Sequence, residues 1–132
     1  MARDEISLQY PTWDVTDSVG VIDVEKQAVT QANGITLKNA FAGKDNSCKI
    51  IVENTTVDAS SVAADSTCTI KAGEKQNASL GNSTVALEAG GVTVISLVRD
   101  MARYERNDGS IYIDFASGFT GNIYAIAEKA GL

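Results

Sequence analysis

Short strand-like segments recur along this chain, and each ends in a run of turn-forming residues. Six of them lie between residue 49 and the C-terminus, and they combine β-branched, aromatic and small apolar residues. Turns rich in Gly, Asn and Asp separate them at nearly regular spacing, which is typical of a β-sandwich or barrel. The six predicted strands are Ile50–Glu53, Cys68–Lys71, Val85–Glu88, Val92–Val98, Ile111–Phe115 and Ile123–Ala127.

The first 45 residues follow a less regular pattern. Ile6–Tyr10 is a predicted strand that ends at Pro11, the only proline, and Val19–Val24 is a second. Ile35–Lys38 is a third, because alternate residues are apolar. Glu25–Ala32 is the one window with good helix formers, and either a short helix or an irregular loop fits it. Residues 14–18 between the first two strands are polar and turn-prone.

Turn residues predict how two of the later strands connect. Gly90 and Gly91 separate Val85–Glu88 from the strand at Val92, and glycine supplies the positive φ that a tight hairpin turn needs. We therefore expect these two strands to form a hairpin. The whole pattern predicts an all-β fold: a single antiparallel, jelly-roll-like β-sandwich over residues 19–132, preceded by an N-terminal arm over residues 1–18.

Length and charge limit the classes of partner. The chain has 132 residues, enough for one domain, and a formal net charge of −6. A nucleic-acid-binding protein needs clustered cations, so we expect no nucleic-acid partner. No apolar stretch approaches the roughly 18 residues of a membrane span, so we expect no membrane association. The first residues lack an apolar signal region, which predicts synthesis in a cytoplasm.

Residues that commonly perform catalysis or bind metals are scarce. Histidine is absent, which removes the commonest general base and the commonest zinc ligand. The chain contains no phosphate-binding glycine loop, and its carboxylates are spread along predicted strands as solvated side chains usually are. We therefore predict that the protein is not an enzyme, with no catalytic residues, no metal site and no cofactor.

The two cysteines, Cys48 and Cys68, each open a strand-like segment in phase with apolar neighbours. One interpretation is a disulfide between neighbouring strands. The other is a pair of small buried side chains that stay reduced in a reducing compartment. We expect them to be buried, close together and reduced where the protein is made, and to span adjacent strands if they are later oxidised.

Arg3, Tyr10 and Trp13 make the N-terminal segment the candidate binding element. Tyr10 and Trp13 flank Pro11 in an otherwise polar stretch. Aromatic side chains near an extended terminal arm are typical interface anchors, but the same residues could instead cap one end of the core. The functional hypothesis is that the arm, roughly residues 1–13, docks on a partner while the β-domain stands outward.

The order of segments in the second half resembles a known family. Lys49-Ile-Ile-Val-Glu-Asn-Thr is followed by Thr67-Cys-Thr-Ile-Lys-Ala-Gly, Ser83-Thr-Val-Ala-Leu-Glu-Ala-Gly and Asn107-Asp-Gly-Ser-Ile-Tyr-Ile-Asp-Phe. Each motif is ordinary strand and turn chemistry, but the ordered set, over roughly residues 48–127, resembles the small β-sandwich decoration (cement) proteins of tailed-bacteriophage capsids.

The resemblance implies a structural protein of the virion. Such a protein is made in the host bacterial cytoplasm, binds the major capsid protein on the outer capsid surface, and stabilises the shell by bridging subunits. It also implies a homo-oligomer, a dimer or a trimer, and no cofactor. The alternative is a carbohydrate- or receptor-binding β-sandwich module of a phage tail or surface structure, which would need an exposed aromatic patch.

Overall fold

The computed structural model describes residues 2–14, 19–97 and 101–129, and these residues are almost entirely β-structure. Besides strands, they contain two single-turn 3₁₀ helices, Ala78–Leu80 and Met101–Arg103. The prediction of an all-β fold is confirmed. In chain order the strands are β1 Asp4–Gln9, β2 Thr12–Asp14, β3 Val19–Val21, β4 Gln27–Ala28, β5 Ile35–Lys38, β6 Lys49–Asn54, β7 Ser66–Ile70, β8 Ser83–Leu87, β9 Val92–Ser96, β10 Ile111–Phe115 and β11 Gly121–Ile126.

Strands β5 and β10 have the bounds that alternation predicts. In β10 the apolar residues Ile111, Ile113 and Phe115 are buried, whereas Tyr112 and Asp114 between them are half-buried. Successive side chains of a strand point to opposite faces, so this spacing places one face in the core and the other toward solvent. The short segment Glu25–Ala32 contains the two-residue strand β4 and no helix, so its irregular interpretation is correct.

Nine strands form one continuous sheet. Their order is β8-β7-β10-β5-β1-β11-β6-β9, with β4 added beside β11, while among the described residues β2 and β3 pair only with each other. The two end strands, β8 and β9, are consecutive in the chain and are joined by residues 88–91. The sheet therefore curves into a nearly closed barrel.

Strand β1 holds the two halves of this barrel together. Residues 4–7 run parallel to β5, and Leu8 and Gln9 run parallel to β11. The prediction of an arm over residues 1–18 is therefore wrong for Asp4–Gln9, which is a central strand with Leu8 buried in the core. The expectation of a purely antiparallel sheet is also wrong, because both pairings of β1 are parallel. Residues 15–18 of the predicted arm, and Val98 at the end of a predicted strand, lie outside the described residues.

The predicted hairpin between β8 and β9 does not form. Strand β8 pairs with β7, and β9 pairs with β6. The glycines do form a tight turn, with the Gly91 N–H donating to the Glu88 carbonyl at 3.0 Å. The strands then part, because each finds its hydrogen-bonding partner in a different half of the sheet. A turn sequence thus predicts the reversal of the chain but not the pairing that follows.

The end of the barrel near this turn is closed by a buried side chain, Asn54. Its Nδ2 donates to the carbonyls of Ala64, Leu87 and Glu88 at 3.0, 3.3 and 3.1 Å. Its Oδ1 accepts the N–H of Thr56 at 3.0 Å. A buried amide needs such partners to offset its desolvation. Asn54 therefore connects β6 to β8 at the place where backbone pairing is missing.

Aliphatic side chains from both halves of the sheet share one core. The rings of Phe115 and Phe119 stack at its edge, with centroids 4.5 Å apart. The β-branched and leucine side chains pack well on pleated surfaces and are fully enclosed here. The largest of them are Ile35, Leu37, Ile50, Val52, Ile70, Leu87, Ile111, Ile113 and Ile123.

Candidate functional site: an exposed apolar ribbon

The ribbon, which we define as strands β2 and β3, is a two-stranded element outside the barrel sheet. Its register pairs Thr12 with Val21, Trp13 with Gly20, and Asp14 with Val19. A two-stranded hairpin alone is marginally stable in water, so such an element usually packs on something larger. The ribbon follows directly from β1, because Pro11 lacks the N–H needed to continue pairing and ends that strand.

Both faces of the ribbon carry apolar side chains that are about half exposed. The exposed fractions are 53% for Trp13, 49% for Val19 and 51% for Val21. Because strand side chains alternate, Trp13 lies on one face, and both valines lie on the other. Thr12 pairs with Val21 and therefore shares the valine face, so that face is mixed. Apolar groups are nevertheless present on both faces, and a partner can cover them from two sides.

The indole of Trp13 is held in place by its neighbours. A Cβ atom added to Gly20 would lie 3.1 Å from indole carbons Cδ2 and Cε2 and 3.1 Å from Pro11 Cβ. The ring therefore lies against the backbone of Gly20, and no larger residue fits there without moving it. A side chain that is already ordered loses less conformational entropy when a partner covers it.

The base of the ribbon is fastened to the barrel by Gln9. Its side-chain Nε2 donates to the Glu25 carbonyl at 2.9 Å, and its Oε1 accepts the Glu25 N–H at 2.8 Å. One residue further on, Lys26 Nζ lies 2.8 Å from Glu53 Oε2. The hydrogen bond from Lys26 lowers the pKa of Glu53, and the same bond raises the pKa of Lys26. These contacts fix where the chain returns to the sheet.

Two open grooves flank the ribbon. One runs between its base and the barrel and is lined by Pro11, Ile22, Lys49 and Ile126, among others. The other lies along Tyr10, Trp13 and Val21. The first has cationic side chains at its edge, Lys44 and Lys49, although Lys44 also lies 3.6 Å from the Glu128 carboxylate. The grooves and the ribbon form one surface that contains both apolar and charged side chains.

The structure separates the three predicted binding residues. Trp13 is on the ribbon, and Tyr10 at its base is partly buried and packs against the core. Tyr10 therefore fits the interpretation in which an aromatic residue caps the core, whereas the anchor role of the exposed Trp13 stays a prediction. Arg3 lies at the opposite end of β1, about 20 Å from Tyr10 at the usual rise of a strand.

Arg3 makes its contacts within the barrel sheet, on the face of β10 that is turned away from the core. Its Nη2 donates to the carbonyls of Ile35 and Ile113 at 3.0 Å each and lies 2.6 Å from Asp114 Oδ1. Its guanidinium also stacks over the Tyr112 ring, 4.2 Å from the centroid. These contacts join β1, β5 and β10, so they give Arg3 a role in stabilising the barrel. A direct role of Arg3 in binding a partner stays a prediction.

The two cysteines are buried and free, as expected. Burial raises the pKa of each thiol to about 11, which keeps both protonated and weakly nucleophilic at neutral pH. Their predicted placement on neighbouring strands is wrong. Cys68 is in β7, which pairs with β8 and β10, whereas Cys48 precedes β6, which pairs with β9 and β11. Phase with apolar neighbours correctly indicates burial, but it does not indicate which strands meet.

Exposed valines are the binding candidates that the sequence pattern did not single out. Val19 and Val21 belong to a predicted strand, and Val92 and Val94 belong to another, so the pattern predicts ordinary β-structure for all four. The sequence signal that points to these valines is the alternation of residues along each strand. Val19 and Val21 must share one face, as must Val92 and Val94, and only the fold reveals that these faces lack cover.

No known protein family, curated protein or solved structure matches this chain. Within residues 2–14, 19–97 and 101–129, no helix has the length and apolarity needed to cross a bilayer. The same residues bring together no cluster of three or more Cys, Asp or Glu side chains that could hold a metal ion. The exposed ribbon is thus the feature from which function is best argued.

Proposed function

We propose that this chain is a structural virion protein that binds the outer surface of a tailed-phage capsid and stabilises it by bridging copies of the major capsid protein. The exposed ribbon is the observation that carries the proposal. It replaces the predicted arm as the docking element, because β1 is part of the barrel. The jelly-roll-like β-sandwich of the family resemblance belongs to the same proposal, with the two halves of the sheet as its layers.

The apolar groups on the two faces of the ribbon suit a bridging role. A ribbon that enters the junction between two subunits buries Trp13 against one of them and Val19 and Val21 against the other. Covering the exposed part of one tryptophan removes about 100 Å² of apolar surface from water and contributes roughly 2–3 kcal/mol. Each contact is modest, but a shell binds many copies, and their contributions add over the particle.

Binding to shells tests the proposal. The probe is an undecorated shell assembled from the major capsid protein of the same genome, and co-sedimentation measures how much protein it binds. We expect the wild type to saturate these shells and to raise the temperature at which they disrupt. Trp13→Ala should weaken binding by about thirtyfold, which corresponds to about 2 kcal/mol at an interface anchor.

Leu80→Ala is the matched control. Leu80 is a large apolar residue that is 62% exposed, but it lies in the 3₁₀ turn Ala78–Leu80, which is not part of the ribbon. Its removal should leave shell binding unchanged. Absence of binding by the wild type, or equal binding by Trp13→Ala, would contradict the proposal. Glycan binding that depends on Trp13, without shell binding, would favour the carbohydrate-binding alternative instead.

A further inference from the structure

Strand β9 is an end strand of the barrel sheet that carries no protection against further pairing. Among the described residues it pairs with β6 alone. Strand β8, on the other side of the seam where the two end strands fail to pair, pairs with β7. Its sequence, Val-Thr-Val-Ile-Ser, contains no charged residue and no proline. Exposed edges of natural sheets usually carry lysine, proline or a bulge that prevents association. An unprotected edge of this kind is therefore available to pair with another strand.

An apolar row crosses the outer face of the sheet to this edge, between Lys49 and Glu53 of β6. One cross-strand row consists of Tyr124, Ile51 and Val94. Ile51 is buried to 5% exposure by its neighbours in this row, whereas Val94 at the end of the row is 58% exposed. Val92, two residues earlier on the same face, is 61% exposed. The apolar strip thus reaches the edge of the sheet and stops there without cover.

We propose that the occupant is a second copy of this chain, paired antiparallel through β9 about a two-fold axis at Val94. The five residues then pair in a closed register: Val92 with Ser96 of the second copy, Thr93 with Ile95, and Val94 with Val94. The two sheets become one, with their outer faces on the same side. The apolar strip of each copy meets the strip of the other, and directly opposed side chains come within about 5 Å.

Charge complementarity selects this antiparallel arrangement. Lys49 is in register with Ser96 at the end of β9, whereas Glu88 lies in the turn just before its start. Antiparallel pairing brings the Lys49 end of each copy beside the Glu88 end of the other. A parallel arrangement would place like charges together and would not generate a closed two-fold dimer.

This inference specifies the interface of the homo-oligomer. It rests on the proposed function only for the expectation that the protein is a homo-oligomer. Trp13 and its ribbon are the proposed contact with the shell, and β9 is the proposed contact between copies. The two can be measured independently, because an assay for dimerisation in solution needs no shells.

The test uses charge pairs at the two-fold axis and sedimentation velocity over a range of concentrations. We expect the wild type to be a dimer. Val94→Lys and Val94→Glu should each be monomeric, because like charges then face each other directly across the axis. An equimolar mixture of the two variants should form a dimer again, because lysine then faces glutamate. Only a contact that places residue 94 against itself predicts this rescue.

Leu80→Lys is the control, since it adds the same charge at an equally exposed residue away from β9, and it should remain dimeric. Circular dichroism of each variant checks the fold. A wild type that is monomeric at every concentration, a dimer that survives Val94→Lys, or a mixture that stays monomeric would each overturn the inference. A monomeric wild type that still saturates shells would overturn the dimer inference and leave the proposed function intact. A dimer that does not bind shells would contradict the proposed function and leave the dimer inference intact.

Discussion

Strands β10 and β3 are both short and contain β-branched residues, yet their surroundings differ completely. Ile111 and Ile113 of β10 are fully enclosed, with β5 on one side and β7 on the other. Val19 and Val21 of β3 pair with β2 alone and remain half exposed. The same local preference for extended structure therefore produces a core strand in one region and an open apolar surface in the other.

Under the two proposals, the barrel provides stability, and the ribbon and β9 provide contact. In the barrel, the free energy of burial is gained when the chain folds. On the ribbon and along β9, the equivalent free energy would be gained only when another molecule covers the surface. Substitutions in the two regions should accordingly affect different measurements, folding stability for one and association for the other.

The largest expected effect tests this comparison directly. Ile113→Ala removes a side chain with no exposed surface, opposite Ile35 in the register of β10 and β5. The lost burial and the resulting cavity should lower the free energy of unfolding by about 2–5 kcal/mol. Val21→Ala in the ribbon should change it by less than about 0.5 kcal/mol, since exposed positions contribute little.

Urea unfolding followed by circular dichroism measures both variants. A similar loss of stability in the two would mean that the ribbon is as much a part of the folded core as β10 is. The distinction between the regions would then fail, and with it the argument that the ribbon is reserved for a partner.

A second, intermediate effect concerns the seam where β8 and β9 fail to pair. Asn54→Ala leaves the carbonyls of Leu87 and Glu88 without the amide that they accept from, in a buried environment. We expect a loss of about 1–3 kcal/mol in the free energy of unfolding. Asn122→Ala is the control, because its amide donates to a single carboxylate, that of Glu53, and it should cost much less. Equal losses would show that Asn54 does not hold the seam closed.

The sequence predicted local structure better than pairing, and β5, β8 and β1 show why. Alternation within Ile35–Lys38 is a property of those residues alone, so the strand could be placed correctly. The glycines at 90 and 91 also indicate the turn, but β8 pairs with the preceding strand β7, and β9 pairs with β6, which is distant in sequence. The two parallel pairings of β1 depend likewise on β5 and β11. Nothing within residues 4–9 indicates them, so the sequence predicts a strand over Ile6–Tyr10 but places it in an arm and not in the sheet.

The candidate site could be predicted in part for the same reason. Tyr10 and Trp13 flank the only proline, which marks Trp13 as a candidate, and the structure shows that it is exposed. The valines of β3 and β9 were missed because exposure is decided by which neighbours are absent. Arg3 was grouped with Trp13 by closeness in sequence, although β1 lies between them and carries them to opposite ends of the barrel.

The smallest expected effect concerns the turn before β10. This turn belongs to the barrel and not to the ribbon, and it is held by hydrogen bonds between its own residues. The hydroxyl of Ser110 donates to Asp108 Oδ1, and the Ser110 N–H donates to the same atom at 3.0 Å. These bonds lower the pKa of Asp108 below its ordinary value. A carboxyl group whose pKa is lower in the folded chain stabilises the fold above its unfolded pKa, and this contribution is lost as pH falls through the folded pKa.

Asp108→Asn isolates this contribution, because the amide oxygen can still accept both bonds but does not titrate at acidic pH. As the pH is lowered from about 5 to about 3, the wild type should lose more stability than the variant, since the unfolded carboxyl titrates near pH 3.9. Other carboxyl groups, including Glu53, titrate equally in both proteins and cancel in the difference. Urea unfolding at each pH provides the measurement. Parallel curves would mean that the two hydrogen bonds from Ser110 to Asp108 contribute no measurable stability to the turn before β10.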